Sequence, residues 1–204
     1  AFEQDPEAVR RWLEEVYPAI RAQAKQAGAQ IYWGDEMGMR SDHQSGTTYG
    51  RKGITPVIPG TGQRFRCSMI SAITNRGKLY FMVYRQGFSA KVFIAFLRRL
   101  TRQVGKKLFL IVDSHPAHRS KETKNWVENQ KGKIHLFYLP GYSPELNPDE
   151  LLNQDVKSNA VGRRRPRSQR DMMTSVRSFL HRRQKQPEKV KSYFHEKHVQ
   201  YAAA

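Results

Sequence analysis

The amino-acid sequence predicts an α/β fold in which a mixed β-sheet is sandwiched between helices. Apolar patterns with helical and strand periodicity alternate along the 204 residues, in the order helix, strand, hairpin, helix, strand, helix, strand, helix. Residues 108–112 (LFLIV) form an uninterrupted apolar run, which is typical of a strand buried on both faces. The hydrophobic share of 38% is sufficient for a packed core.

The first predicted elements are a helix and a short strand. Residues 6–28 carry apolar side chains at helical spacing. We expect Pro18 to kink or split this helix and Gly28 to end it. The next residues, 29–34 (AQIYWG), form a mostly apolar run that predicts a strand ending at Asp35.

A glycine-rich segment separates this strand from a predicted hairpin. Residues 38–63 contain six glycines and predict a long irregular excursion with room for a hairpin of its own. Residues 65–74 and 79–84 predict two paired strands, because the sequence NRGK between them favours a turn. Residues 89–104 then predict a helix with one apolar face.

The remaining elements continue the alternation. Buried strands are predicted at residues 108–112 and 134–139, with a linker or arm (RRRPR) at 163–167. Helices are predicted over residues 120–130, 148–159, 168–184 and 187–201.

The charge of the chain points to a polyanionic partner. The sequence has 36 basic and 18 acidic residues, a formal net charge of +18, which favours nucleic acid as the partner. Two basic blocks, residues 31–112 and 158–204, flank a nearly neutral segment. The sequence has no apolar run long enough to span a membrane and no secretory signal, so we expect an intracellular protein. A single cysteine, Cys67, excludes a disulfide framework or a multi-cysteine zinc site, and we expect it to be a buried thiol.

Three carboxylates follow or begin the predicted elements. Asp35 and Asp113 each follow an apolar strand, and Glu150 falls three residues after Asn147 at a predicted helix start. If the two strands are neighbours, their acids point into one crevice. A carboxylate cluster suits Mg²⁺ or Mn²⁺, and two such ions roughly 3.5–4 Å apart can clamp a phosphodiester. The alternatives are hydrophilic strand ends and a capping box in which Glu150 bonds a backbone amide.

Three segments resemble a known family. Residues 34–36 (GDE), 112–118 (VDSHPAH) and 142–150 (YSPELNPDE) resemble the bacterial insertion-sequence transposases of the mariner superfamily. The resemblance covers about residues 30–160 and implies a ribonuclease-H-like fold with an Asp-Asp-Glu triad. The triad residues, catalytic and metal-binding, would be Asp35, Asp113 and Glu150.

The resemblance also ranks the neighbouring residues. Many relatives have an apolar residue in place of Asp149, which makes Asp149 a competing candidate, although the motif favours Glu150. Glu36 is not expected to be a ligand. The family commonly has a histidine at the position of His118, which is therefore a candidate near the site; the alternative is a structural role for His115 and His118.

The resemblance implies cut-and-paste DNA transposition with insertion at TA dinucleotides. Its cofactor would be Mg²⁺ or Mn²⁺, with two ions, and its partners would be double-stranded DNA of the transposon ends and the target. Relatives often act as dimers, so a homodimer is also compatible with it. The alternatives are a nuclease of the same fold without strand transfer and a catalytically idle DNA-binding remnant.

Basic residues close to these motifs are candidate DNA contacts. Their alternative is a solvated charged surface. The candidates in the two basic blocks are Arg51, Lys52, Arg64, Arg66, Arg163, Arg164, Arg165 and Arg167. Trp33, beside Asp35, is expected to be a core residue rather than a platform for base stacking.

Three regions are expected along the chain. Only 34 residues precede Asp35, too few for the helix-turn-helix region that such transposases usually carry. We therefore expect residues 1–28 to be a helix and linker that follow a missing upstream DNA-binding domain. Residues 29–160 would be the catalytic domain, and residues 161–204 a basic arm and helices packing on it. The resemblance implies a DNA-associated protein of the bacterial cytoplasm.

Overall fold

A five-stranded mixed sheet forms the centre of the molecule. The computed structural model describes residues 3–42, 50–54, 57, 62–161 and 166–203. The strand order is β3-β2-β1-β4-β5, in which β1 to β3 are antiparallel and β4 and β5 run parallel to β1. The strands are β1 (Gln30–Arg40), β2 (Arg66–Ile73), β3 (Leu79–Tyr84), β4 (Leu108–Val112) and β5 (Ile134–Tyr138).

Helices cover both faces of this sheet, as the sequence predicts. They are α1 (Pro6–Arg11), α2 (Tyr17–Ala27), α3 (Ala90–Val104), α4 (Pro116–Arg119), α5 (Lys121–Glu128), α6 (Asp149–Val156), α7 (Gln169–Gln184) and α8 (Pro187–Ser192). Turns of π-helix join α1 to α2 at Trp12–Val16 and extend α6 at Lys157–Val161.

The first helical region is not split at Pro18, because α1, the π-helical turn and α2 follow one another with helical backbone angles throughout. The Asp5 side chain accepts hydrogen bonds from the Glu7 and Ala8 amides and so begins α1. Pro18 is the second residue of α2, just after the π-helical turn, so the hydrogen-bond pattern changes where its N–H is missing. Gly28 adopts the left-handed conformation (φ 60°) and ends α2, which confirms the predicted stop.

Strand β1 is longer than the sequence predicts. It does not end at Asp35 but continues to Arg40, because β2 pairs with it along its whole second half. Asp35 therefore lies inside a strand and not at its end. The predicted irregular segment 38–63 accordingly begins later, and its residues 43–49, 55, 56 and 58–61 lie outside the described part of the chain.

Two apolar layers enclose the sheet. Alternate residues of β4 point to opposite sides, so that Leu108 and Leu110 pack with α3 while Phe109 and Ile111 pack with the other helices. All five β4 residues are buried, which confirms the predicted strand with two covered faces. β5 was predicted to be buried as well, but it is an edge strand and is only partly buried after Ile134.

The C-terminal region packs against the same core as the first helices. α7 begins at the Ser168 cap, close to the predicted helix, whereas the predicted helix over residues 187–201 breaks after Ser192 into short 3₁₀ turns. The break lets Phe194 and Val199 enter the core. No helix among the described residues is long and apolar enough to cross a membrane.

Tyr201 connects the last turn to the first helices. Its ring makes edge contacts with Tyr17 and Trp33 at centroid distances of 4.9 and 5.6 Å. Its hydroxyl accepts a hydrogen bond from Trp12 Nε1 at 3.0 Å and donates one to the Leu146 carbonyl at 2.8 Å. Leu146 lies just before α6, so this turn also supports the start of that helix.

Two single residues behave as the sequence predicts. Trp33 is a core residue, with 1% of its surface exposed. Cys67 is a buried free thiol, and burial raises its pKa to about 11.

Candidate active site

The first two acids lie side by side at one edge of the parallel strands. β1 and β4 are neighbours with Trp33 opposite Ile111, so Asp35 and Asp113 each lie two residues beyond the last parallel pair. β4 ends at Val112, and the chain turns away at Asp113. The two strands are therefore neighbours, which is the condition under which their acids were expected to share a crevice. Both acids line one crevice of 340 Å³, together with Glu150 and the loop at residues 139–144.

Asn147 places α6 beside the first acid. Its Oδ1 accepts a hydrogen bond from the Asp149 amide at 3.1 Å, and its Nδ2 donates to the Gly34 carbonyl at 3.1 Å. Its own backbone amide donates to the Pro144 carbonyl. Because this amide is already used, a capping box with the Glu150 side chain does not form, and that side chain is left facing the crevice.

Asp149 points away from the crevice. It is completely buried, and its Oδ2 accepts a hydrogen bond from Ser71 Oγ at 2.7 Å. Burial raises the pKa of Asp149 well above its usual range, and the nearby Glu150 raises it further. The two neighbouring acids of α6 therefore have different surroundings: Asp149 packs against β2, and Glu150 faces the crevice.

Asp35 is held by a residue that sequence reasoning missed. Asn153 Nδ2 donates to Asp35 Oδ2 at 2.7 Å, and both side chains are buried. Asn153 lies three residues after Glu150, so the two share a helix face; this spacing is the only sequence signal for it. Burial and then the carboxylate of Glu150 raise the pKa of Asp35 well above its usual range.

His118 bridges Asp113 and Glu36. Its Nδ1 lies 2.8 Å from Asp113 Oδ1, and its Nε2 makes an ion-pair contact of 3.3 Å with Glu36 Oε2. The short helix α4, which the sequence did not predict, brings His118 into this position. The ring is fully buried and packs against Phe93 at a centroid distance of 4.4 Å.

The bridge sets the charges of its members. Burial alone would lower the pKa of His118, but its contacts with Asp113 and Glu36 raise it to about 9. Burial alone would raise the pKa of Asp113, but the hydrogen bond with His118 holds it below its usual value. The contacts with Asp113 and Glu36 therefore favour the charged form of His118.

The donor set fits a hard divalent cation. Three carboxylates face one crevice, and their mutual repulsion, together with burial, disfavours the charged form of Asp35. A bound cation would remove that penalty. Among the described residues, the group of three acids and histidines whose ligand atoms all lie within 4.8 Å of one another is Glu36, Asp113 and His118, and the three acids of the crevice are not this close. Because His118 already bridges Asp113 and Glu36, we interpret these three residues as a support that orients Asp113 and not as a zinc site.

The predicted DNA contacts lie outside the crevice. Those that the structure describes are exposed: Arg51, Lys52, Arg64, Arg66 and Arg167. Arg64 Nε lies 3.3 Å from Asp42 Oδ2, so part of its charge is neutralised within the chain. Arg163, Arg164 and Arg165 lie outside the described residues. A role in DNA binding stays a prediction for all eight.

Comparison with known proteins identifies similar sequences. The family model described as "DDE superfamily endonuclease" matches residues 30–173. The chain is 26% identical over 152 residues to the insertion element IS630 uncharacterized 39 kDa protein of Shigella sonnei. That match covers 74% of this chain and 44% of the relative, so the chain spans less than half of the relative's length.

Solved structures of low sequence identity share the fold. The catalytic domain of Mos1 mariner transposase superposes with a TM-score of 0.60 at 13% identity, covering 98% of this chain and 96% of that one. The Mos1 mariner paired-end complex with Mn gives a TM-score of 0.67 at 14% identity, covering 98% and 64% of the two chains. With the observed strand order, this likeness confirms the predicted ribonuclease-H-like fold.

Proposed function

The chain belongs to the DDE superfamily endonuclease family, and from this we propose that it is the catalytic domain of a DNA transposase. It would cleave phosphodiester bonds at transposon ends and join them to target DNA at TA dinucleotides. The observation that carries the proposal is the convergence of Asp35, Asp113 and Glu150 on one crevice in a chain of net charge +18.

Asp35, Asp113 and Glu150 would together hold two divalent ions, Mg²⁺ or Mn²⁺. When bound, such ions activate an attacking oxygen and offset charge on the scissile phosphate. Among the similar structures, Mos1 paired-end complexes are described with Mn and with Mg. The repulsion among the carboxylates of this chain supports the same cofactor class here.

The protein's own contribution would be positioning. Asn153 fixes one oxygen of Asp35, and His118 fixes one oxygen of Asp113. Each acid thereby keeps its orientation before substrate arrives, which reduces the reorganisation that the reaction requires. Water and then a DNA 3′-hydroxyl would be the two attacking groups, while the basic surface holds the phosphates on either side.

The test is single substitution of each acid. We expect Asp35→Asn, Asp113→Asn and Glu150→Gln each to abolish Mg²⁺-dependent nicking of plasmid DNA and joining of a pre-cleaved transposon end. Glu145→Gln is the matched control, since Glu145 is exposed on the same loop and lies outside the crevice. Full activity in any of the three variants would contradict the role of that acid.

Two measurements separate the alternatives. A nuclease without strand transfer would nick plasmid DNA but leave pre-cleaved ends unjoined. An idle DNA-binding remnant would show no Mg²⁺ binding by titration calorimetry that depends on Asp113. The three acids that face one crevice argue against the idle remnant. The similarity to an insertion-element protein and to the Mos1 transposase catalytic domain supports the transposase over a plain nuclease.

The proposal extends to the assembly and its surroundings. The partner would be double-stranded DNA, bound by a homodimer in the bacterial cytoplasm. Residues 29–160 would form the catalytic domain, with residues 1–28 and 161–204 packing on it. Light scattering of the chain with transposon-end DNA would test the dimer.

A further inference from the structure

A second concave site surrounds the start of β1, whereas the acidic crevice lies beside the middle of this strand. It is a cavity of 1110 Å³, far larger than the crevice, and we call it the basic cavity. Its walls come from α2, from the start of β1, from the turn between β2 and β3, and from the loop between α3 and β4.

Six cations surround the basic cavity, two from each of three segments. They are Arg21 and Lys25 on α2, Arg76 and Lys78 at the turn, and Lys106 and Lys107 before β4. None of its described lining residues is an aspartate or glutamate. None of the six forms an ion pair with a described residue, whereas Arg10, Arg40 and Arg183 do. A concave surface of one charge focuses its field on an anion.

The side chains around the basic cavity fit the oxygens of a phosphate group. All six cations are exposed, and lysine and arginine donate charge-assisted hydrogen bonds to phosphate. Gln30 also contributes to the wall, but its Nε2 is buried beneath the surface, so the cations are the groups that a ligand can reach.

The cations of the basic cavity lie well away from the acids of the crevice. Lys107 is beside Gln30, whose amide donates a hydrogen bond to the Lys107 carbonyl, and the five residues from Gln30 to Asp35 span roughly 16 Å of β-strand. Ile31, Tyr32 and Trp33, which bring the cavity wall nearer to Asp35, carry no charge. We propose that the basic cavity binds the phosphate backbone of a DNA segment other than the one cleaved in the crevice. The identity of the partner rests on the proposed function, whereas the phosphate chemistry rests on the cavity itself.

The test compares two double variants with the same change of charge. Lys106→Gln/Lys107→Gln removes two cavity cations, and Lys121→Gln/Lys124→Gln removes two exposed cations of α5 that do not line the cavity. Binding of a random-sequence duplex is measured by fluorescence anisotropy over a KCl series, in EDTA so that no cleavage occurs. Thermal unfolding confirms that each variant is folded.

In the Lys106→Gln/Lys107→Gln variant, which we call the cavity pair, the slope of log affinity against log salt should be less steep by roughly 1–2, because each phosphate contact contributes about 0.9 to the steepness. The control pair should change the slope by less than half of that. Gln30→Glu, which adds a carboxylate to the wall of the cavity, should also weaken binding while leaving the lysines intact.

Three outcomes would overturn the proposal. The first is a cavity pair and a Gln30→Glu variant that both bind DNA like the control. The second is binding of tripolyphosphate to the basic cavity without any displacement of DNA, which would indicate that the ligand of the cavity is a free phosphate compound. If either occurs while Asp113-dependent cleavage persists, the basic cavity alone is refuted. The third, a wild-type chain without DNA binding or cleavage, would refute the proposed function as well.

Discussion

Asn153 donates a hydrogen bond from its Nδ2 to Asp35 Oδ2 at 2.7 Å, in a region where both side chains are buried. The bond joins β1, which carries the first acid, to α6, which carries Glu150. A single buried amide therefore connects the strand of one carboxylate with the helix of another.

Replacing Asn153 by alanine should affect both stability and metal use. Loss of a hydrogen bond to a buried carboxylate costs about 1–3 kcal/mol of unfolding free energy. Freed from its partner, Asp35 should also require more Mg²⁺ for half-maximal cleavage. Urea denaturation and a Mg²⁺ titration of cleavage measure the two effects. Asn159→Ala is the control, because Asn159 bonds Asp155 and not Asp35. A Mg²⁺ dependence equal to that of the wild type would refute the positioning role.

Neutral substitution of the two adjacent acids of α6 should have different effects, because Asp149 is buried and Glu150 faces the crevice. Burial raises the pKa of Asp149, so its contribution to stability is complete below its unfolded pKa and is lost as the pH rises through the folded value. Asp149→Asn should therefore raise the unfolding free energy at neutral pH, by roughly 0.5–2 kcal/mol, and retain cleavage. Glu150→Gln should abolish cleavage. Denaturant titration and plasmid nicking test both, and loss of cleavage in Asp149→Asn alone would reverse the assignment.

His118 should give the metal-free chain a characteristic pH dependence. The pKa of His118 rises from 6.5 to about 9, so the stabilisation from its charged form is complete below pH 6.5 and is lost as the pH rises through 9. His118→Gln should flatten this decline in unfolding free energy. Denaturant titrations across that range, in EDTA, measure it, with His135→Gln as a control on β5. Parallel curves for wild type and His118→Gln would contradict the bridge.

Gly77 should tolerate a methyl group less well than Gly105. Both glycines have positive φ, 82° and 64°, so alanine costs about 1–2 kcal/mol at either position. A Cβ at Gly77 would also lie 2.6 Å from the Pro187 carbonyl oxygen, whereas one at Gly105 meets nothing within 4 Å. Gly77→Ala should therefore lose a further 1–3 kcal/mol or so of unfolding free energy. Equal losses, measured by urea denaturation, would show that the turn at Gly77 does not pack against Pro187 of α8.

The sequence predicts the elements that depend on local patterns. The apolar run before Asp113 predicts its strand, and Pro148 after Asn147 predicts the start of α6, because each signal lies within a few residues. The position of Asp35 inside β1 could not be read in this way. It depends on pairing with β2, whose partner residue Ser71 lies 36 positions further along the chain.

The supporting residues of the candidate site are also set by distant contacts. Asn153 and Asp35 are separated by 118 positions. Glu36, which was not expected to be a ligand, reaches His118 only because α4 turns the histidine back over the sheet. A motif identifies the acids, whereas the residues that orient them follow from how strands and helices meet.

Tyr201 gives the molecule an order of assembly. The loop before Glu150 is fastened to the first helix through the Tyr201 hydroxyl, which contacts Trp12 and the Leu146 carbonyl. During synthesis these two partners leave the ribosome long before Tyr201 does. The hydrogen bonds that fasten that loop therefore form only after Tyr201 has been translated, 55 residues after Leu146.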